Sequence, residues 1–98
     1  MKRQFNTTKT DLPFAQELIL KVWQKAYPII NYDANKLRRD KCGHIIQFSK
    51  FGDRDNVHGW EIDHVVPIAK GGNDNLENLQ PLHWRSNMQK ADKIDWKC

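Results

Sequence analysis

Apolar and polar positions follow two different rhythms along this chain. Phe14, Leu18, Val22 and Ala26 recur at every fourth residue, which lines them up as one stripe of a helix. Asp11 stands where such a helix needs a cap, Pro13 suits its first turn, and Pro28 stops it. The segment "NYDANKLRRDKCG" has no comparable period and reads as a turn-rich connection carrying Lys36, Arg38, Arg39 and Lys41. A short strand is then expected in "HIIQFSKFG" and a loop in "GDRDNVHG". "WEIDHVVPI" is rich in β-branched residues and predicts a strand with Trp60 and Ile62 on one face. Two glycines followed by Asn and Asp make "AKGGNDN" a loop. "LENLQPL" is extended at least in part, because Pro81 biases Gln80 away from helix. In "HWRSNMQKADK" the helical spacing returns, with Trp84, Met88 and Ala91 on one side and Trp60, Trp84 and Met88 expected in the core. From Trp60 onward the predicted order is strand, loop, strand, helix. Residues 1–10 read as a mobile polar arm. There is no internal repeat and no low-complexity linker.

Length changes this picture little: 98 residues, 39% of them apolar, suit a single domain with one core. Charge changes it more. Sixteen Lys and Arg against twelve Asp and Glu leave a net +4, which favours an anionic partner such as nucleic acid. Cys42 and Cys98 lie far apart, so free thiols in a reducing compartment are expected rather than a disulfide framework. The polar start "MKRQFNTTKTD" has no apolar h-region, and no apolar run approaches the roughly 20 residues that cross a bilayer. A soluble, cytoplasmic protein without a membrane partner is the expectation.

The stretch from Gly59 to Lys90 carries the candidate chemistry. A metal-dependent phosphodiesterase needs oxygen ligands for a hard cation, a base to deprotonate water, and a group that holds the base. Asp63 offers a carboxylate and Asn87 an amide oxygen, a sparse pair that leaves positions for water and phosphate, as Mg²⁺ prefers. The adjacent His64 offers an imidazole whose ordinary pKa of about 6.5 makes it an available base near neutrality. Asn78 is placed to return and fix the ring. In an ideal strand Asp63 and His64 point to opposite faces. Either the strand twists or ends there, or the reacting phosphate sits at its edge and is met from both sides.

Each of these residues has an ordinary alternative. Asn78 is a common turn former, Arg85, Lys90 and Lys93 suit a solvated helix face, and His83 suits the corner between strand and helix. Should the helix include position 83, His83 and Asn87 would be i and i+4 and share a face. Together, however, the run from Trp60 to Lys93 resembles the HNH endonuclease family. The match lies in "EIDHVVPIAKGG" for the first histidine, "LENLQPL" for the central asparagine and "NMQKADK" for the third position and its basic tail. "RRDKCGHIIQFSKFG" also looks like the lead-in strand of a phage and bacterial branch of the family.

The resemblance implies an α+β fold: a ββα-metal core over about 59–93, preceded by a helix and a short strand, within a domain spanning 11–98. It also implies hydrolysis of DNA phosphodiester bonds with one divalent cation, Mg²⁺ or another such as Mn²⁺. Carried over by motif position, Asp63 and Asn87 would be metal ligands, His64 the general base, and Asn78 the residue orienting it. Arg85 and Lys90 are expected at flanking phosphates, with Arg38, Arg39 and Lys41 extending the footprint on DNA. Many family members also clamp a structural zinc with two CxxC pairs, which this chain lacks. A mixed site from Cys42, His44, His83 and Cys98 is the remaining route to one, since structural zinc takes four ligands. Non-catalytic DNA binding, or a zinc-stabilised structural module, is the alternative use of such a fold.

Overall fold

A computed structural model of the chain describes residues 5–98. The first helix, α1, spans Gln16–Trp23, later than Asp11 would start it. Asp11 adopts a left-handed φ of 63° and closes its own turn, its N–H donating to the Thr8 carbonyl at 2.9 Å. Leu12 precedes a proline and is pushed away from helical angles, so the chain runs extended before it coils. Ala15 caps the helix without a side-chain hydrogen bond. The predicted stripe holds at Phe14, Val22 and Ala26, and Ile19 and Trp23 are buried beside it.

Beyond α1 the chain makes a small antiparallel sheet in the order β1 (Tyr27–Pro28), β2 (Leu37–Arg39) and β3 (Ile45–Gln47). β2 lies inside the segment expected to be a turn-rich connection. Its strand character comes from pairing on both sides, Tyr27 with Arg39 and Arg38 with Ile46. Pro28 sits on the edge strand, where a missing N–H is tolerated. The turn between β2 and β3 is organised by buried Asp40. One of its oxygens accepts the N–H groups of Cys42 and His44 at 2.9 and 3.0 Å, and the other accepts that of His83 at 2.9 Å.

The second sheet pairs β4 (Trp60–His64) with β5 (Leu79–His83), antiparallel, with Trp60 opposite His83 and His64 opposite Leu79. The helix α2 (Trp84–Lys90) follows at once and packs on both strands. The predicted strand, loop, strand, helix order is therefore present, and the class is α+β. The core joins α1 to both sheets through Trp23, Val22, Ile46, Trp60, Ile62 and Leu79. Trp23 and Trp60 pack with centroids 5.2 Å apart and ring planes tilted by 50°, and each indole N–H is satisfied by a backbone carbonyl, Ala34 and Phe48 respectively.

Two expectations about the C-terminal part are corrected. Met88 is 54% exposed and Trp84 only half-buried, while the buried face of α2 is Ser86, Asn87 and Lys90. The reason is the partner: the strand face beneath α2 presents carboxylates, so the helix turns its polar residues inward. Cys42 and Cys98 are not free thiols but form a disulfide, Cα atoms 5.5 Å apart. The tail after α2 folds back onto the β2–β3 turn, where the Lys41 ammonium lies over the Trp96 ring. Among the described residues no helix is long and apolar enough to cross a membrane.

Candidate functional site

Strand and helix periods together assemble the site. Glu61 and Asp63 alternate onto one face of β4, and Asn87 and Lys90, three residues apart, share one face of α2. The two faces meet as rungs. Asn87 Nδ2 donates to Glu61 Oε1 at 2.8 Å, and Lys90 Nζ lies 3.3 Å from Asp63 Oδ2. Behind the first rung, Arg54 holds Glu61 through two bonds of 2.6 and 2.9 Å. This pairing raises the Arg54 pKa further and stops Glu61 from being a buried charge without a partner.

Asp63 is buried, and burial raises its pKa, opposed by the Gln80 hydrogen bond and by the Lys90 charge. Gln80 stands directly across the ladder and donates to Asp63 Oδ2 at 2.8 Å. Both donors thus hold the same oxygen. Asn87 gives its NH₂ to Glu61, so its carbonyl oxygen is the atom left for another partner.

The opposite parity of β4 serves the core until its end. Trp60 and Ile62 are buried in the core, and His64 follows on the same side, its ring 6.0 Å from that of Phe14. β4 ends at His64. At that end the groove reaches both faces. Asp63, His64 and Asn87 line one cavity of about 500 Å³, together with Phe5, Asn6, Ile68 and Met88. The strand therefore ends at the site, and its two faces contribute side by side.

Lys90 and Asn78 occupy places different from those the sequence suggests. Lys90 is 2% exposed and donates to the His64 carbonyl at 3.0 Å, so it braces the strand end and does not face flanking phosphates. Asn78 ends a short 3₁₀ turn, and its side chain turns back into the 65–75 loop. Its Oδ1 accepts from Val66 N at 2.9 Å, and its Nδ2 donates to the Val66 and Asn73 carbonyls at 3.1 and 2.8 Å. It does not meet the imidazole. Gly72 makes the clamp possible, because a Cβ there would sit 1.7 Å from the Val66 carbonyl oxygen and 3.0 Å from Asn78 Nδ2.

His83 belongs to the frame. Its Nδ1 accepts from Arg85 N at 3.0 Å, capping α2, and its Nε2 meets the Val57 carbonyl at 2.7 Å. With both nitrogens engaged and its pKa lowered by burial, it is a neutral hinge between β5 and α2. The ligands of the mixed zinc site are occupied in the same way: the two sulfurs bond each other, and His44 Nδ1 meets Ser86 Oγ at 2.8 Å.

The other basic residues divide. Arg38 is turned inward, donating to the Ala34 and Ala26 carbonyls at 2.8 and 3.0 Å and lying over Trp23. Arg39, Lys41 and Arg85 are exposed, Arg85 lying over the Trp84 ring. Sequence reasoning misses Glu61, Arg54, Gln80 and Asp74. The first has a visible signal, a carboxylate two residues before Asp63 in an apolar strand; Gln80 and Asp74 become evident only through register and loop path.

Phe5, Asn6 and Lys9 of the expected arm lie against the site, while its residues 1–4 are outside the described residues. Asn6 Oδ1 accepts from Ile62 N at 2.7 Å, and Phe5 packs under Arg54 at 3.8 Å.

The family model described as HNH endonuclease matches residues 35–93, more than half of the chain. No curated protein and no solved structure matches it. A β4–β5–α2 unit whose strand end and helix open Asp63, His64 and Asn87 onto one groove thus lies inside the matched region, and the chain belongs to the HNH endonuclease family, a family of nucleases.

Proposed function

We propose that this nuclease is a metal-dependent endonuclease that hydrolyses DNA phosphodiester bonds, with His64 as general base. The observation that supports it most is the shared groove, where a carboxylate, an amide oxygen and an imidazole converge. Asp63 and Asn87 would hold the divalent cation, Mg²⁺ or Mn²⁺. Among the described residues no three His, Cys, Asp or Glu side chains cluster as a metal site, so a cation would rest on this sparse pair, with water and phosphate oxygens completing its shell. The donor set fits. Asp63 has Oδ1 beyond the Gln80 and Lys90 bonds, and Asn87 has Oδ1 beyond its bond to Glu61. When bound, the cation supplies charge neutralisation at the scissile phosphate and the leaving 3′ oxygen.

The chain's own residues do the rest. His64 takes the proton from the attacking water. Lys90 holds the His64 carbonyl, and Gln80 holds Asp63, so the two neighbours keep their relative placement. Arg85 and Arg39, exposed and always charged, contact flanking phosphates, helped by a net charge of +4. Incubation with supercoiled plasmid tests the proposal: nicked or linear DNA should form with Mg²⁺ or Mn²⁺ and not with a chelator. DNA binding without any cleavage under those cations would instead support a non-catalytic binding protein.

A further inference from the structure

We propose that Asp74 is the residue that orients His64, holding the ring as the Nε2–H tautomer with Nδ1 turned toward the groove. This rests on the general-base reading of His64 and assigns to Asp74 the task that Asn78 does not perform.

The geometry is direct. His64 Nε2 and Asp74 Oδ1 are 2.8 Å apart. A carboxylate only accepts, so the neutral imidazole it meets must carry its proton on Nε2 and keep a lone pair on Nδ1. Among the described residues Nδ1 has no hydrogen-bond partner, yet no buried side-chain nitrogen or oxygen lacks one. Nδ1 is therefore open to the groove that His64 lines. That is the arrangement a base for water requires.

Asp74 is itself held. The Lys9 backbone N–H donates to Oδ1 and Oδ2 at 3.1 and 3.0 Å, bracketing the carboxylate between the N-terminal segment and the imidazole. One residue earlier, the Asn73 carbonyl is fixed by Asn78 Nδ2 at 2.8 Å. Asn78 thus acts at one remove: it sets the loop that delivers Asp74. A carboxylate behind a histidine fixes tautomer and ring plane together, as in catalytic triads.

The decisive substitution is Asp74→Asn, which keeps the size but offers an NH₂ that can donate to Nε2 and so favour the Nδ1–H tautomer. Long-range ¹H–¹⁵N correlation spectra of metal-free protein distinguish protonated from bare ring nitrogens and read the tautomer without any turnover. Wild type should show protonated Nε2 and bare Nδ1 for His64, and Asp74→Asn should move protonation toward Nδ1. On plasmid DNA, Asp74→Asn should lose about 10²–10⁴-fold in kcat, the range of a positioned base, with KM and thermal melting little changed. Asp74→Glu should recover part of that loss. A wild-type His64 protonated on Nδ1 would overturn the assignment by itself, as would an unchanged tautomer in a folded Asp74→Asn. If the tautomer moves but the wild type cuts nothing, Asp74 orients His64 as proposed and it is the nuclease mechanism that fails.

Discussion

The two sheets are built by the same antiparallel pairing but use their polar residues in opposite ways. In β1–β3 the polar groups satisfy backbone: Arg38 turns to carbonyls of Gln24, Ala26 and Ala34, and Asp40 collects three N–H groups. In β4–β5 with α2, polar side chains satisfy one another, Arg54 to Glu61 to Asn87 and Gln80 to Asp63 to Lys90. Arg38 and Asp40 are thereby committed to the frame. The side-chain network has capacity left over, since Asp63 and Asn87 each keep an oxygen and His64 a nitrogen beyond it. A frame and a reactive site are thereby distinguished by what their hydrogen bonds leave unused.

The largest effect should come from removing what the site leaves unused. His64→Ala should lose about 10²–10⁴-fold in cleavage rate while still binding DNA, because the positioned base is gone. Asp63→Ala should also lose activity, but through the cation, so raising Mg²⁺ should recover part of it. Asn87→Ala should follow Asp63→Ala. Equal recovery of His64→Ala and Asp63→Ala in a Mg²⁺ titration would show that the two neighbours are not divided into base and ligand.

Next in size is the brace. Lys90→Met removes an ammonium from between Asp63 and the His64 carbonyl, both buried, and should cost roughly 3 kcal/mol. The figure sits at the low end for a broken buried pair because Asp63, whose pKa is already raised, can take up a proton. Urea unfolding checks it. A variant as stable as wild type would mean that Lys90 is a surface charge, as helix position alone suggests.

That misleading suggestion marks the limit of legibility. The order of elements from Trp60, the loop at Gly71 and Gly72, and the trio Asp63, His64 and Asn87 are all readable, because alternation, turn chemistry and motif spacing are local properties. Lys90 is not. Its burial depends on which face of α2 meets Glu61 and Asp63, and the apolar triplet Trp84, Met88 and Ala91 points to the wrong side. Motif position alone sends Asn78 to His64, but the backbone path between Val66 and Asn73 determines where an amide reaches. The Cys42–Cys98 disulfide closes 56 residues of sequence, and no local pattern encodes so distant a pairing.

Smaller again is a change in the clamp. Gly72→Ala places a methyl against the Val66 carbonyl, which is backbone and cannot swing away, so the loop must shift at a cost of about 1–3 kcal/mol. Because that loop delivers Asp74, cleavage should fall as well as melting temperature. Unaltered stability in the Gly72→Ala variant would show that the loop is loose.

The hinge adds a pH dependence. His83 has a folded pKa lowered by burial, so in acid the unfolded chain binds the proton more readily than the folded one. Stability should thus be lost as pH falls below about 6.5, the ordinary histidine value, toward the depressed folded pKa. Protonating Nδ1 would also remove the acceptor for Arg85 N–H and place a positive charge at the N-terminus of α2. His83→Asn keeps a capping oxygen and cannot titrate. Between pH 7 and about 5, its melting temperature should fall less steeply than that of wild type; parallel slopes would clear His83 of the effect.

The smallest expected effect separates exposed from inward-turned basic residues by their salt dependence. Arg85→Ala and Arg39→Ala each remove an exposed guanidinium, and each should reduce the slope of log K for DNA against log salt by about one, uniformly across sequences. Arg38→Ala removes a guanidinium committed to carbonyls and to the Trp23 ring, so it should lower the melting temperature and leave the slope unchanged. The contrast matters more than either value, since all three residues carry the same charge and differ only in what that charge already satisfies. A slope that dropped equally for Arg38 and Arg39 would mean that Arg38 is not committed to the frame, and the distinction between frame and site would have to be drawn elsewhere.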